Sequence, residues 1–165
     1  MTTQYEQTVA ALAEAAELEI EIGRDRVAEM VVEERIVLLK PSDEAESGLT
    51  AFSIVATAED GHFQKSVLKE ALSMNLFGSE TGKGHLGLFG DSLFLSMDID
   101  IEGITPEQLT ERLLAFSRLA DELEKQLAAE GGDGEEDDGY LSDAAIVDAS
   151  EPSPGLGSLG DFMQV

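Results

Sequence analysis

Three stretches of the chain carry residue types at spacings that chemistry uses. The first, Gly82-Lys83-Gly84-His85-Leu86-Gly87, matches G-x-G-x-x-G. In a dinucleotide fold that pattern follows a strand and opens a helix, whose N-terminus meets the pyrophosphate. Here a helical pattern precedes it and a strand pattern follows it. The same spacing recurs at Gly155, Gly157 and Gly160, so the match is cheap. The second stretch, GSETGKG at 78–84, resembles a phosphate-binding loop. It is one residue short, and glycine stands where the Mg²⁺-binding hydroxyl belongs. Glycines supplying positive φ to a loop account for it better. The third is Asp98, Asp100, Glu102 and Gly103, which mimic the start of a calcium loop. The position of the bidentate glutamate is Leu109, and Pro106 opens a helix inside the would-be loop.

The remaining chemistry is sparse. His62 and His85 are the only histidines and lie at no metal-ligand spacing. There is no cysteine, which excludes disulfides, Cys-based zinc sites and thiol catalysis. No G-x-S-x-G occurs. Arg24, Arg26, Arg35, Arg112 and Arg118 are suited to bind a carboxylate or to pair within the protein's own acidic surface. No catalytic constellation emerges, and neither a cofactor nor a metal is expected.

Composition narrows the choice further. The 165 residues include 35 Asp and Glu against 10 Lys and Arg, a formal charge of −25. Binding nucleic acid through its phosphates needs a basic surface, and so does docking on anionic lipid. Both are excluded. The N-terminal stretch lacks a positive n-region and carries Glu6, Glu14 and Glu17, so no signal peptide is expected. No run of 18 apolar residues occurs, so no membrane span is expected. The last 36 residues, 130–165, hold ten acidic side chains and no basic one. Their stretch EGGDGEEDDG has nothing apolar to bury and repels itself. The division expected is a folded domain over 1–129 and a disordered acidic, Gly-rich tail over 130–165.

The elements that would position any site read clearly. Residues 3–18 form a helix with a thin stripe of Tyr5, Val9, Leu12 and Ala16. Three strands follow at 27–33, 35–40 and 49–58, with a polar loop after Pro41 and a turn at Asp60-Gly61. A second helix covers 64–77. Val67, Leu68, Ala71, Leu72 and Leu76 share its apolar face, and Gly78 stands just past its end. A hairpin pairs 85–89 with 92–101 across Gly90-Asp91. In its second strand Leu93, Leu95, Met97, Ile99 and Ile101 face the core, and Phe94 alone is apolar on the wet side. Thr105-Pro106-Glu107-Gln108 caps a last helix, whose seam is Leu109, Leu113, Phe116, Ala120, Leu123 and Leu127. The order helix, three strands, helix, two strands, helix predicts an α+β fold, an antiparallel sheet packed by helices. The strands at 35–40 and 49–58 are apolar on both sides. They are either buried twice or meet a partner.

The segment from Val67 to Leu127 resembles the class I type III secretion chaperones, the CesT-like (Tir chaperone) family. The phrase Asn75-Leu76-Phe77-Gly78, with Thr81 and Gly82 after it, carries the resemblance most specifically. Similarity weakens over the first 60 residues, and the tail lies outside the pattern. The resemblance implies a homodimer without enzymatic activity, in a Gram-negative cytoplasm. Its partner would be the N-terminal segment of a secreted effector, bound in extended form and kept secretion-competent. Carried over, the dimer interface contains Leu68, Leu72, Leu86, Leu88 and Phe94. The effector grooves, between the first helix and the sheet, contain Val9, Leu12, Val31, Leu38, Phe52 and Ile54. An enzyme of unknown class and an acidic inhibitor of a folded basic partner are the competing readings. The first would need a deep polar pocket. The second predicts binding that collapses with salt.

Overall fold

A computed structural model describes residues 3–17, 20, 22–42, 47–58, 61–77, 81 and 83–132. The loop after Pro41, the Asp60-Gly61 turn, the 78–84 loop and the acidic tail fall wholly or partly outside these residues. The element order is α1 (Gln4–Ala15), β1 (Ala28–Val32), β2 (Arg35–Pro41), β3 (Gly48–Thr57), α2 (Lys65–Phe77), β4 (His85–Phe89), β5 (Ser92–Asp100) and α3 (Pro106–Gly132). The expected order and α+β class stand.

The five strands form one sheet in the order β1-β2-β3-β5-β4, with every neighbouring pair antiparallel. Helix α2 connects β3 to β4, so β5 returns between them. Helix α3 packs against β3 and β1, flanked by α1 and α2. Its Leu109, Leu113, Phe116, Ala120, Leu123 and Leu127 are all buried. They meet Val37 and Leu39 of β2, Leu49, Ala51 and Val55 of β3, and Leu93, Leu95 and Ile99 of β5 in a single core cluster. Aliphatic burial at about 25 cal/mol per Å² is the main force holding helices to sheet.

Helices α1 and α3 start on reciprocal caps. Thr3 accepts from the Glu6 amide and donates its own amide to the Glu6 carboxylate. Thr105 and Gln108 repeat the exchange at α3. Helix α1 is shorter than expected. Ala16 is its C-cap, and Glu17 turns to φ 52°, so only Tyr5, Val9 and Leu12 of the stripe are buried. Helix α3 instead runs three residues past 129. Side chains around the start of α2 meet that extension. Gln64 Nε2 donates to the Gly131 carbonyl and Ser66 Oγ to that of Glu130. Such bonds satisfy carbonyls that a helix end leaves bare.

The tip of the β1–β2 hairpin is Glu33-Glu34, with φ of 49° and 71°. Two left-handed residues suit a two-residue hairpin, but the position usually takes Asn or Gly. Glu33 is retained in a clamp, because Arg118 of α3 donates to both its carboxylate oxygens at 2.8 and 3.1 Å. That guanidinium holds the Glu33 carboxyl below its ordinary value. Ser117 Oγ adds a bond to the Val32 carbonyl at 3.0 Å.

Tyr5 anchors α1 to the sheet. Its ring is buried and its hydroxyl donates to the Leu39 carbonyl at 2.8 Å. Burial pushes its pKa from 10.0 to about 12. The folded state therefore prefers the neutral phenol. Stability is unaffected below the unfolded value near pH 10 and is lost as pH climbs through 12. The loss reaches on the order of 2–3 kcal/mol. Urea melts at pH 9 and pH 11.5 are expected to show this drop in the native chain and a smaller one in Tyr5→Phe.

Candidate functional site

With all three helices on one face of the sheet, the other face is uncovered among the described residues. Alternation along the strands places Val31, Ile36, Leu38, Phe52, Ile54 and Phe94 there, opposite their buried neighbours. Val31 is 58 % exposed and Ile54 47 %, while Leu38, Phe52 and Phe94 are half-buried. Of the two alternatives for β2 and β3, double burial is not met among the described residues. Each is buried on its helix side only.

Two hollows indent this face and share Leu38 and Phe94. The smaller, about 320 Å³, is walled by Leu38, Phe52, Gly87, Leu88, Phe89 and Phe94. Gly87 stands directly across from Phe94 in the β4–β5 pair, and a Cβ there would meet nothing within 4 Å. The larger, about 490 Å³, opens where β2 leaves β3. Pairing of those strands stops at Leu38–Phe52. Beyond that point side chains bridge the gap. Ser53 Oγ donates to the Ile36 carbonyl at 2.9 Å, and Arg35 Nη1 donates to the Ile54 carbonyl at 2.7 Å. Arg35 also pairs with Asp121 and Glu124 of α3. Burial pulls its pKa down, but the bonds from Glu124 and Asp121 outweigh that and hold it above its ordinary value. Arg35 and Arg118 are therefore internal ion-pair partners.

A second apolar surface lies on α2 and β4, which pack against each other. Leu72 is 69 % exposed and Leu76 76 % on α2, and Phe89 is 80 % exposed on β4, where it and Leu88 also wall the smaller hollow. The residues expected on one apolar face of α2 divide between core and surface. Val67, Ala71 and Met74 are the buried side chains, and Leu72 and Leu76 turn outward. Asn75 explains part of the specific phrase. Its Nδ2 donates to the Leu86 carbonyl, and its Oδ1 accepts the Leu86 amide, each at 2.8 Å. The carboxamide acts as a one-residue neighbouring strand and closes that part of the β4 edge. Asn75→Ala leaves both backbone groups unpaired and is expected to cost about 1–3 kcal/mol in denaturant melts.

The residues expected to bind are distributed over the core and the two open surfaces. Val9 and Leu12 are about 1 % exposed and belong to the core beneath α1. Leu12 nevertheless lines a hollow of about 180 Å³ with Val31, Met30 and Leu113, where α1, β1 and α3 meet. Leu38, Phe52 and Ile54 lie across the sheet from α1. Leu86 is buried and Leu68 half-buried, while Leu72 and Leu88 are open. Phe94 joins Leu38 and Phe52 rather than Leu72, because strand alternation points it away from the helices. Ile36, Leu76 and Phe89 are exposed apolar residues that belong to neither expected set.

The nucleotide-like and calcium-like patterns have local roles. A Cβ on Gly84 would lie 2.9 Å from a Leu95 methyl, so glycine lets the loop approach β5. Strand β4 begins at the next residue, with a helix before the loop rather than after it. Asp98 accepts the Thr50 hydroxyl, and Asp100 accepts the Glu102 amide at 3.0 Å. Among the described residues no group of three or more His, Cys, Asp or Glu is placed to hold a metal. No helix among them is long and apolar enough to cross a membrane.

Among the described residues, three helices cover one face of a five-stranded antiparallel sheet and two apolar surfaces stay uncovered, an arrangement suited to contact with a partner. Residues 7–124 match the Tir chaperone protein (CesT) family, and the chain belongs to it. None of the curated proteins matches the chain. Several solved structures are similar. One is the Yersinia pestis type III secretion chaperone SycH in complex with a stable fragment of YscM2. Identity is 25 %, 72 % of this chain and 98 % of that chain are covered, and the TM-score is 0.53. The ExsC-ExsE complex matches at 17 % identity over 77 % of this chain and 96 % of that one, with a TM-score of 0.61. The ExoT-SpcS complex from Pseudomonas aeruginosa matches at 18 % over 74 % and 98 %, with a TM-score of 0.50. The last two establish the fold.

Proposed function

We propose that this protein is a non-enzymatic, homodimeric cytoplasmic chaperone of a Gram-negative bacterium. It binds the N-terminal segment of a type III secreted effector in extended form and keeps it soluble and secretion-competent. The observation that carries this reading is the bare sheet face. An apolar face of this kind takes an extended chain without a deep pocket, through side chains seated in shallow hollows. Val31, Leu38, Phe52, Ile54 and Phe94 are the proposed effector contacts. Leu72 and Leu88, joined by Leu76 and Phe89, are the proposed dimer contacts. The two surfaces adjoin at Leu88 and Phe89, which also wall the smaller hollow, so a dimer through them leaves the larger hollow of the sheet face free. Membership of the Tir chaperone family supports both assignments. The similarity to SycH, a chaperone in complex with a protein fragment, adds to the first.

The acidic segment after α3 is proposed as a separate solvating tail. High negative charge keeps an apolar complex dispersed by self-repulsion. Co-expression with proteins encoded beside this gene tests the reading. Capture of an effector through its first 100 or so residues (about the length of a small domain) is expected. Capture of the effector through a folded C-terminal domain alone would contradict it.

A further inference from the structure

The larger hollow on the sheet face has two unlike walls. Ile36, Leu38, Ile54 and Phe94 make one, and Glu33, Glu34, Asp121 and Glu124 stand at the other. Arg118 and Arg35 are the guanidiniums paired there, two against four carboxylates. Glu34 makes no hydrogen bond or ion pair among the described residues. Bare hydrocarbon beside uncompensated carboxylate suits a side chain with an apolar stem and a cationic head. An acidic segment would be repelled. A second copy of this chain would bring the same carboxylates together, so it does not fit this hollow.

We infer that the segment occupying the sheet face carries a lysine or arginine next to its apolar anchors. The anchor fills the hollow at Phe52, Gly87 and Phe94. The cation lies along Ile54 with its head at Glu34. This rests on the sheet face being the effector surface, and it adds which effector segments that surface accepts.

Three extended peptides test it. They share alternating leucines and valines and differ only in carrying two lysines, two glutamines or two glutamates at the intervening positions. Fluorescence anisotropy on the full chain is read at low and high salt. The lysine peptide is expected to bind about two- to fivefold tighter than the glutamine peptide at low salt, a range set by exposed ion pairs. High salt shrinks the difference. Glu34→Lys is expected to abolish the preference. Glu14→Lys, which makes the same charge change on exposed α1, keeps it and so excludes a general field effect. Equal binding of the lysine and glutamine peptides, or a preference that survives Glu34→Lys, would overturn the inference while leaving the sheet face as a binding surface. Failure of all three peptides to bind would remove both.

Discussion

Replacing Leu72 and Leu76 together by aspartate is expected to give a folded chain that no longer dimerises. Both side chains are mostly exposed in the single chain, so the change removes little intramolecular burial. Val67, Ala71 and Met74 still hold α2 to the core. The helix itself loses only a few tenths of a kcal/mol per substitution, up to about 0.7. In a twofold interface each substitution is present twice. Burying a leucine contributes about 1.5–3 kcal/mol, and four new carboxylates would meet across the axis. The dimer is therefore expected to weaken by at least about a hundredfold. Light scattering should report a mass near 17.6 kDa in place of twice that value, with the helical circular dichroism signal unchanged. A variant that keeps the doubled mass would place the dimer contact elsewhere.

The second large effect is on the sheet face. Gly87→Val is expected to weaken effector capture about ten- to a hundredfold without destabilising the fold. A Cβ at this position has open space, and its neighbour across the pair is Phe94. Valine also suits a strand better than glycine does. The new side chain enters the smaller hollow and displaces one apolar anchor, worth about 1.5–3 kcal/mol. Titration of a captured effector segment gives the affinity, and a thermal melt gives the stability. A lower melting point would mean that the loss of binding came through the fold. Unchanged affinity would mean that the hollow is not a contact.

The long patterns are readable because they are redundant. The α3 seam repeats over six residues, and every one is buried. Alternation alone puts Phe94 on the open side of β5. Helix α2 misleads for a specific reason. It carries two adjoining apolar stripes, Leu68–Leu72–Leu76 and Val67–Ala71–Met74, which read in sequence as a single face. Hydrophobicity reports that a side chain avoids water, not whether its cover comes from the same chain. Val9 and Leu12 are the opposite case: both are buried, and a groove and a core ask for the same residue types. The Glu33-Glu34 turn carries no glycine or asparagine, and its reason, the clamp to Arg118, lies 85 positions away. The parting of β2 from β3, and with it the larger hollow, leaves no mark in local sequence at all.

The most direct test of the central claim is the mass of the purified complex, with protease mapping of the captured protein. The account predicts two copies of this chain with one effector. The effector's N-terminal segment should be protected from protease in the complex, yet unfolded when released. A single copy of this chain bound to a folded basic enzyme, in a complex that dissolves with salt, would contradict the account and favour an acidic inhibitor.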